Sequence, residues 1–247
     1  MSGNVEIDHS NARTPDRGGE LILQGVVGST AYGLAREGSD VDRLGVFVAP
    51  TLEVAGLAWN THRESTVTSN PDVTRHEVGK YLRLALKCNP TILELMWLPG
   101  EHIEIEHPVH GTGLTTLRQA VLSEECVRSS YGGYARQQAT RLRNRGDGSF
   151  SAETRKRTTK HARHLFRLLR QGHQLLTEGQ LDVKVANPQD YWAFDTMTTD
   201  QMLETYEHED KTFMAAESVL PASPDVDRVR RYLNSVRTAY LTSGDHS

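Results

Sequence analysis

Short apolar runs separated by polar punctuation fill the first hundred residues, and helical periodicity takes over after them. "ELILQGVVGS" (20–29) reads as a strand or short helix that enters a Gly-Ser turn, and "AYGLAREGS" follows as a loop with room for one helical turn. "DRLGVFVAP" (42–50) is rich in Val and Phe and stops at Pro50, which predicts a strand. "DVTRHEV" (72–78) alternates and carries β-branched residues, which predicts a second, shorter one. "GKYLRLALKCNPTILELMWLPG" (79–100) has helical spacing, with Asn89-Pro90 either dividing it into two helices or kinking one. From Gly111 to Tyr240 nearly every segment is helical by period. In the clearest, 154–179, Ala162, Leu165, Phe166 and Leu169 form one face, and Lys160, Arg163, His164 and Arg167 form another. The order predicts a small α/β unit followed by a helical unit, with a seam near residue 105. A polar tail over 1–19, with at most one short strand around Val5, precedes them.

Composition changes this picture little. The 247 residues suffice for one large domain or two small ones, and 37% hydrophobic with 24% charged is ordinary for a soluble protein. No apolar run approaches the roughly 20 residues of a membrane helix, and the N-terminus has no apolar signal core. The two cysteines, Cys88 and Cys126, form no C-x-x-C pair, which argues against a zinc site or disulfide framework and for the cytoplasm. Charge is more informative. The net value is -4, yet twelve Lys or Arg lie between Arg128 and Arg170, opposed there only by Asp147 and Glu153. The compensating acids lie largely beyond residue 177. A basic middle in an acidic chain reads as a local phosphate-binding surface, the alternative being a solvated helical face.

Asp40 and Asp42 stand one residue apart at the mouth of a predicted strand, where alternate side chains share a face. Paired carboxylates repel, and a divalent cation relieves them; oxygen-only ligands suit Mg²⁺ or Mn²⁺. The Gly28-Ser29 turn supplies the complement, since glycine lets backbone N–H groups approach a phosphate and the serine hydroxyl donates to its oxygens. A phosphate cradle and metal ligands in one unit point to phosphoryl or nucleotidyl transfer.

G-S, a short loop, S-D-x-D and then a β run resembles the signature of the DNA polymerase beta-like nucleotidyltransferase superfamily. The fuller "GSTAYGLAREGSDVDRLGVFV" resembles one branch, the nucleotidyltransferases associated with bacterial RNA-repair operons. "HEVGKYLRLALKCNPTILELMWLP", "YGGYARQQATRLR", "KHARHLFRLLRQGHQLLTEGQLDV" and "SVLPASPDVDRVRRYL" resemble that branch's later blocks, so that the likeness covers residues 20–237. "NPQDYWAFDTMTTDQMLETYEHED" contributes nothing to it.

The resemblance implies an α+β fold, with a mixed-sheet polymerase beta-like catalytic domain over 20–105 and a helical substrate-binding domain over 106–247. It implies transfer of a nucleoside monophosphate from a nucleoside triphosphate to a hydroxyl, with two Mg²⁺ or Mn²⁺ ions held by Asp40, Asp42 and a third carboxylate. Glu77, at the end of its strand, is favoured for that third place over Asp72, which opens the strand. Glu94 is set aside as facing the basic helix or capping structure. Gly28, Ser29 and Ser39 are expected at the phosphates. Lys160, Arg163, His164 and Arg167 are expected to clamp the triphosphate from the helical side, with Arg36 a weaker candidate. Tyr32 and Gly33 read as shaping the loop, Trp59, Trp97 and Trp192 as core or rim, and His76 as a strand residue. The surplus of basic residues points to a nucleic-acid acceptor, an RNA 3′ end first. A small-molecule or protein acceptor, or a non-catalytic nucleotide-binding module, stays open.

Overall fold

The computed structural model describes residues 19–56, 64–144 and 152–241, apart from the side chains of residues 152–154 and 156. The N-terminal tail up to residue 18 with its strand around Val5, Trp59, Arg145 and Asp147 lie outside the described residues.

Five strands make one sheet: β1 (Glu20–Val27), β2 (Asp42–Val48), β3 (Ser65–Ser69), β4 (Asp72–Glu77) and β5 (Ile103–Glu106), in the order β3-β4-β2-β1-β5. The sheet is mixed: β1 runs antiparallel to β2 and β5, β3 antiparallel to β4, and β2 parallel to β4. The crossover from β2 to β4 carries the short helix α2 (Thr51–Ala55) and β3. Two registers position the site. Val27, the last residue of β1, pairs with Asp42, the first of β2, so the chain leaves β1 into Gly28-Ser29 beside Asp42. In the parallel pair Arg43 faces Val73, which sets Asp72 next to Asp42.

Gly28–Ala31 forms the single turn α1. The stretch 79–100 is divided as its Asn-Pro predicts, into α3 (Val78–Ala85) and α4 (Pro90–Met96). Asn89 caps α4 by accepting from Ile92 N–H at 3.4 Å, and Pro90 stands at the first turn, where its missing N–H costs nothing. Beyond β5 the chain is helical: α5 (His110–Thr115), α6 (Glu124–Arg143), α7 (Ala152–Glu178), α8 (Gln189–Trp192), α9 (Thr199–Ala215) and α10 (Val226–Ala239). Ala162, Leu165, Phe166 and Leu169 are buried, so the apolar face read along 154–179 is the packed face of α7. α6 and α7 pack on each other, and α9 closes against both.

One buried cluster runs from Ile22, Leu23 and Val46 through α3 and α4 into α6, α7 and α9. A smaller one, Leu21, Phe47 and Ala49, lies apart from it with Val54 and Ile105 packed on it. We keep the two-part organisation, 20–105 and 106–247, as a proposal. The last helix also returns to the sheet: Tyr240 donates its hydroxyl to Glu20 at 2.7 Å, and Arg237 reaches Glu77. Among the described residues no helix is long and apolar enough to cross a membrane.

Candidate active site

Asp42 is half-buried and begins β2, while Asp40 is exposed in the two-residue approach to it. Burial, and next the Asp72 carboxylate, push the Asp42 carboxyl above the usual carboxylate range; Lys160 on α7 pulls it back and Asp40 adds to the rise. Three acids and one lysine therefore share one locale. Gly28 closes its floor. It has φ +70, and a Cβ there would lie 2.4 Å from Asp42 Oδ2, so any other residue would be strained and would push this carboxylate aside. Ser29 follows, half-exposed, in α1. Ser39 shapes the loop above: its hydroxyl oxygen accepts from Arg36 N–H at 2.9 Å, which leaves the hydroxyl proton to donate elsewhere.

The structure does not bring Glu77 to this place. Glu77 pairs with Phe47, five residues along β2 from Asp42, about 16 Å at the rise of a strand. Its side chain is buried and committed. One oxygen accepts from Gly79 N–H at 2.7 Å and caps α3, and the other lies 2.7 Å from Arg237 Nη1, an ion pair without hydrogen-bond geometry. Asp72, exposed at the opposite end of β4, lies beside Asp42 instead.

A family model for the RNA repair pathway DNA polymerase beta family matches residues 5–208. The chain belongs to that family. It is a nucleotidyltransferase of the polymerase beta type. No curated protein matches it in sequence. A crystal structure of a nucleotidyltransferase-like protein from Exiguobacterium sibiricum is 14% identical over 90% of this chain and 73% of that one, with a TM-score of 0.27, too low to carry an argument.

In this polymerase beta-type nucleotidyltransferase the basic stripe of α7 is not uniform. Lys160 is exposed toward Asp42. Burial, with Arg167, His161, Lys160 and Arg141 nearby, lowers His164 to about 3, so its imidazole is neutral at neutral pH. Its Nδ1 lies 3.2 Å from Arg167 Nη2 and accepts from it, which leaves Nε2–H as a donor. Arg163 is paired, its Nη1 2.5 Å from Asp195 Oδ1. Arg167 departs from the expectation altogether. Its side chain is 3% exposed and donates to Glu94 Oε1 at 2.5 Å and Gln171 Oε1 at 2.6 Å. Burial opposes its charge, yet Glu94 and Tyr32 outweigh burial and raise its pKa. Tyr32 donates to the second Glu94 oxygen at 2.6 Å and lies under the Arg167 guanidinium at 3.9 Å. Arg167 is thus an internal strut that ties the turn after Ser29 to α4 and α7, and it has no path to a triphosphate. Glu94 faces the basic helix, as read, and Tyr32 shapes the loop.

Among the described residues, part of the surplus of cations is engaged within the fold. Arg128 holds Glu124 and the carbonyls of Phe213, Met214 and Ala216 at the end of α9. Arg143 approaches Glu207 at 3.6 Å, and Arg170 donates to Glu209 at 2.9 Å. Arg155 donates to the Asp195 carbonyl at 3.0 Å. Arg136, Arg141 and Lys160 stay exposed. The segment that meant nothing in the sequence supplies Asp195 and Trp192, and Arg36 and Arg163 lie over the Trp192 ring at 4.0 and 5.0 Å. Trp97 is buried, and His76 lies in β4 with Nδ1 2.8 Å from the Ser65 hydroxyl. One sequence signal for Asp72 existed: "DRLGVFV" and "DVTRHEV" both open on Asp.

Proposed function

We propose that the chain transfers a nucleoside monophosphate from a nucleoside triphosphate to an acceptor hydroxyl, with an RNA 3′ end as the acceptor. The observation that carries this reading is Asp42, wedged against Gly28 and raised by burial, Asp72 and Asp40, with Lys160 opposite. Such a locale fits a divalent cation. Its donors are carboxylate oxygens, which suit Mg²⁺ or Mn²⁺, and a cation would remove the repulsion that raises Asp42. Among the described residues no group of three or more His, Cys, Asp and Glu is placed to hold a metal ion by itself. Mg²⁺ does not need one, because it binds through one or two carboxylates and completes its shell with phosphate oxygens and water.

Asp40 and Asp42 would hold two ions, and Asp72 would complete the one on the acceptor side. When bound, the ions would supply Lewis-acid stabilisation of the reacting phosphate and make the acceptor hydroxyl more acidic, lowering its pKa. Gly28 gives the tail of the triphosphate close access to the backbone, and the Ser29 hydroxyl donates to it. Lys160 and the neutral Nε2–H of His164 approach from α7. The acceptor oxygen loses its proton to solvent and bonds to the α-phosphorus as the bond to the pyrophosphate oxygen breaks, and pyrophosphate leaves. The family's description supports an RNA acceptor, as do the exposed Arg136, Arg141 and Lys160. The pairing of Arg128, Arg143, Arg155, Arg163, Arg167 and Arg170 within the fold favours a second reading, a small or protein acceptor. A reducing cytoplasm accords with the two free thiols.

Incubation with each labelled triphosphate, Mg²⁺ or Mn²⁺, and pooled RNA, DNA, protein and small-molecule acceptors tests both. Label in RNA supports the first reading, and label only in protein or a small acceptor selects the second. No label anywhere, with no Mn²⁺-dependent triphosphate binding, overturns catalysis.

A further inference from the structure

Asp195 has no part in the transfer chemistry above, yet it stands at the edge of that site. It ends the 3-10 turn Ala193–Asp195. Its Oδ1 accepts from Arg163 at 2.5 Å and its Oδ2 from Arg36, while its carbonyl accepts from Arg155 at 3.0 Å. Trp192 lies beneath the same two guanidinia. Arg36 belongs to the exposed loop that leads into Asp40, and Arg163 lies one turn beyond Lys160 on α7. The arginine pair is therefore tied through the chain to Asp40 on one side and, on the other, to Lys160, which faces Asp42.

Two guanidinia converging on the two oxygens of one anion is also how arginines grip a phosphate. A carboxylate and a phosphate compete for such a fork. Here the competition is open: the Asp195 side chain is 31% exposed and that of Arg36 is 55% exposed. Exposed pairs are weak and exchange readily. The Arg167–Glu94 pair, sealed at 3% and 1%, offers no such exchange. Cation–π contact with Trp192 keeps both guanidinia in place when their anion changes.

The geometry points to Arg36 and Arg163 as a phosphate site that Asp195 occupies as an internal stand-in for substrate. This rests on the nucleotidyl-transfer reading. A phosphate, from the tail of the triphosphate or from the acceptor strand, takes the fork and releases Asp195. The carboxylate is then a built-in competitor, and the turn that carries it is a latch on the rim of the site.

Asp195→Asn removes the competing charge and keeps the shape; Asp195→Ser does the same if the amide lowers the melting temperature. Two probes separate the sources: inorganic tripolyphosphate for the tail, and a short single-stranded RNA for the acceptor. At low salt the variant binds one or both about two- to thirty-fold tighter than the wild type, the range set by losing one exposed and one part-buried ion pair. The gain disappears when Arg36→Ala is added. A gain for RNA alone assigns the fork to the acceptor and steepens the slope of log K on log salt by about 0.7. Glu209→Gln, which removes the same charge from Arg170 farther along α7, produces no gain. A gain that survives Arg36→Ala, or that Glu209→Gln reproduces, overturns the assignment. If the wild type binds a probe and Asp195→Asn gains nothing, the Asp195 assignment alone falls. If neither protein binds either probe, the nucleotidyl-transfer reading falls with it.

Discussion

Replacing Arg167 by Met separates a strut from a clamp. The Arg167 side chain is 3% exposed and its partner Glu94 1% exposed, with 2.5 Å between Nη1 and Oε1. Methionine fills much of the same volume and removes the charge. Glu94 then keeps only the Tyr32 hydroxyl, at 2.6 Å, to offset a buried carboxylate. One-sided removal of a buried pair costs about 3–5 kcal/mol. In a chain of this size each kcal/mol lowers the melting temperature by about 2–4 °C, so Arg167→Met melts about 6–20 °C below the wild type. Adding Glu94→Leu recovers part of the loss. The orphan charge is gone, but the Tyr32 hydroxyl then lacks its acceptor, at a cost of about 1–3 kcal/mol. Thermal unfolding followed by circular dichroism reads all three proteins, and triphosphate KM is measured well below the lowest transition. Arg167 does not reach solvent, so KM rises only as far as losing its bond to His164 Nδ1 loosens that one donor, by less than about ten-fold. A melting temperature within about 2 °C of wild type, joined to a ten-fold or greater rise in KM, would refute the strut and restore the clamp.

Asp72→Asn should remove most of kcat with triphosphate affinity nearly unchanged, whereas Glu77→Gln should keep kcat and lose stability, because it leaves Arg237 without its buried partner; the reverse pattern in a steady-state assay returns the third carboxylate to Glu77. Asp42→Asn should be inactive and, in metal-free buffer at pH 7, more stable than the wild type. Asp42 is raised above 3.8 in the fold, so its charged form costs stability above the folded pKa, and the cost fades as pH falls toward 3.8. Melting curves from pH 7 to pH 3 should show the gap closing, and no gap at pH 7 would contradict the locale described here. With His164 lowered to about 3, the triphosphate KM should show no step between pH 5 and 8 that His164→Gln removes; such a step would mean that His164 titrates in its ordinary range.

The elements legible in the sequence are those whose order is local. β2, β4 and the long helices announce themselves by period and by their stops at Pro50 and Asn89-Pro90, whereas the apolar run of β1 fits a strand or a short helix until β2 pairs with it. The edge strands β3 and β5 do not. β3 leaves Val67 69% exposed, and the four residues of β5 alternate between half-buried and exposed. β3 has no apolar face of its own to advertise, and that of β5 is only Ile103 and Ile105, too short to stand out; pairing with β4 and β1 is what orders them. The Gly28-Ser29 and Asp40/Asp42 motif was readable because its parts lie close together in the chain, and the hairpin register that joins Val27 to Asp42 follows from that closeness.

The third carboxylate was not readable. Asp72 and Glu77 bracket the same strand, and only the parallel register of β4 on β2, a contact between segments about thirty residues apart, chooses between them. The stripe on α7 was equally undecided. Helical spacing puts Lys160, Arg163, His164 and Arg167 on one side of the cylinder, but it does not say what packs there. α4 brings Glu94 to bury Arg167, the 3-10 turn brings Asp195 to Arg163, and Lys160 alone is left facing Asp42. The sequence by itself determined which side chains share a face and which motif is the candidate for the chemistry, because both depend on neighbours a few bonds or one helical turn away. Only the tertiary structure decided which charges are spent on the fold and which remain for a substrate, because burial and ion pairing depend on segments that the chain brings together from far apart.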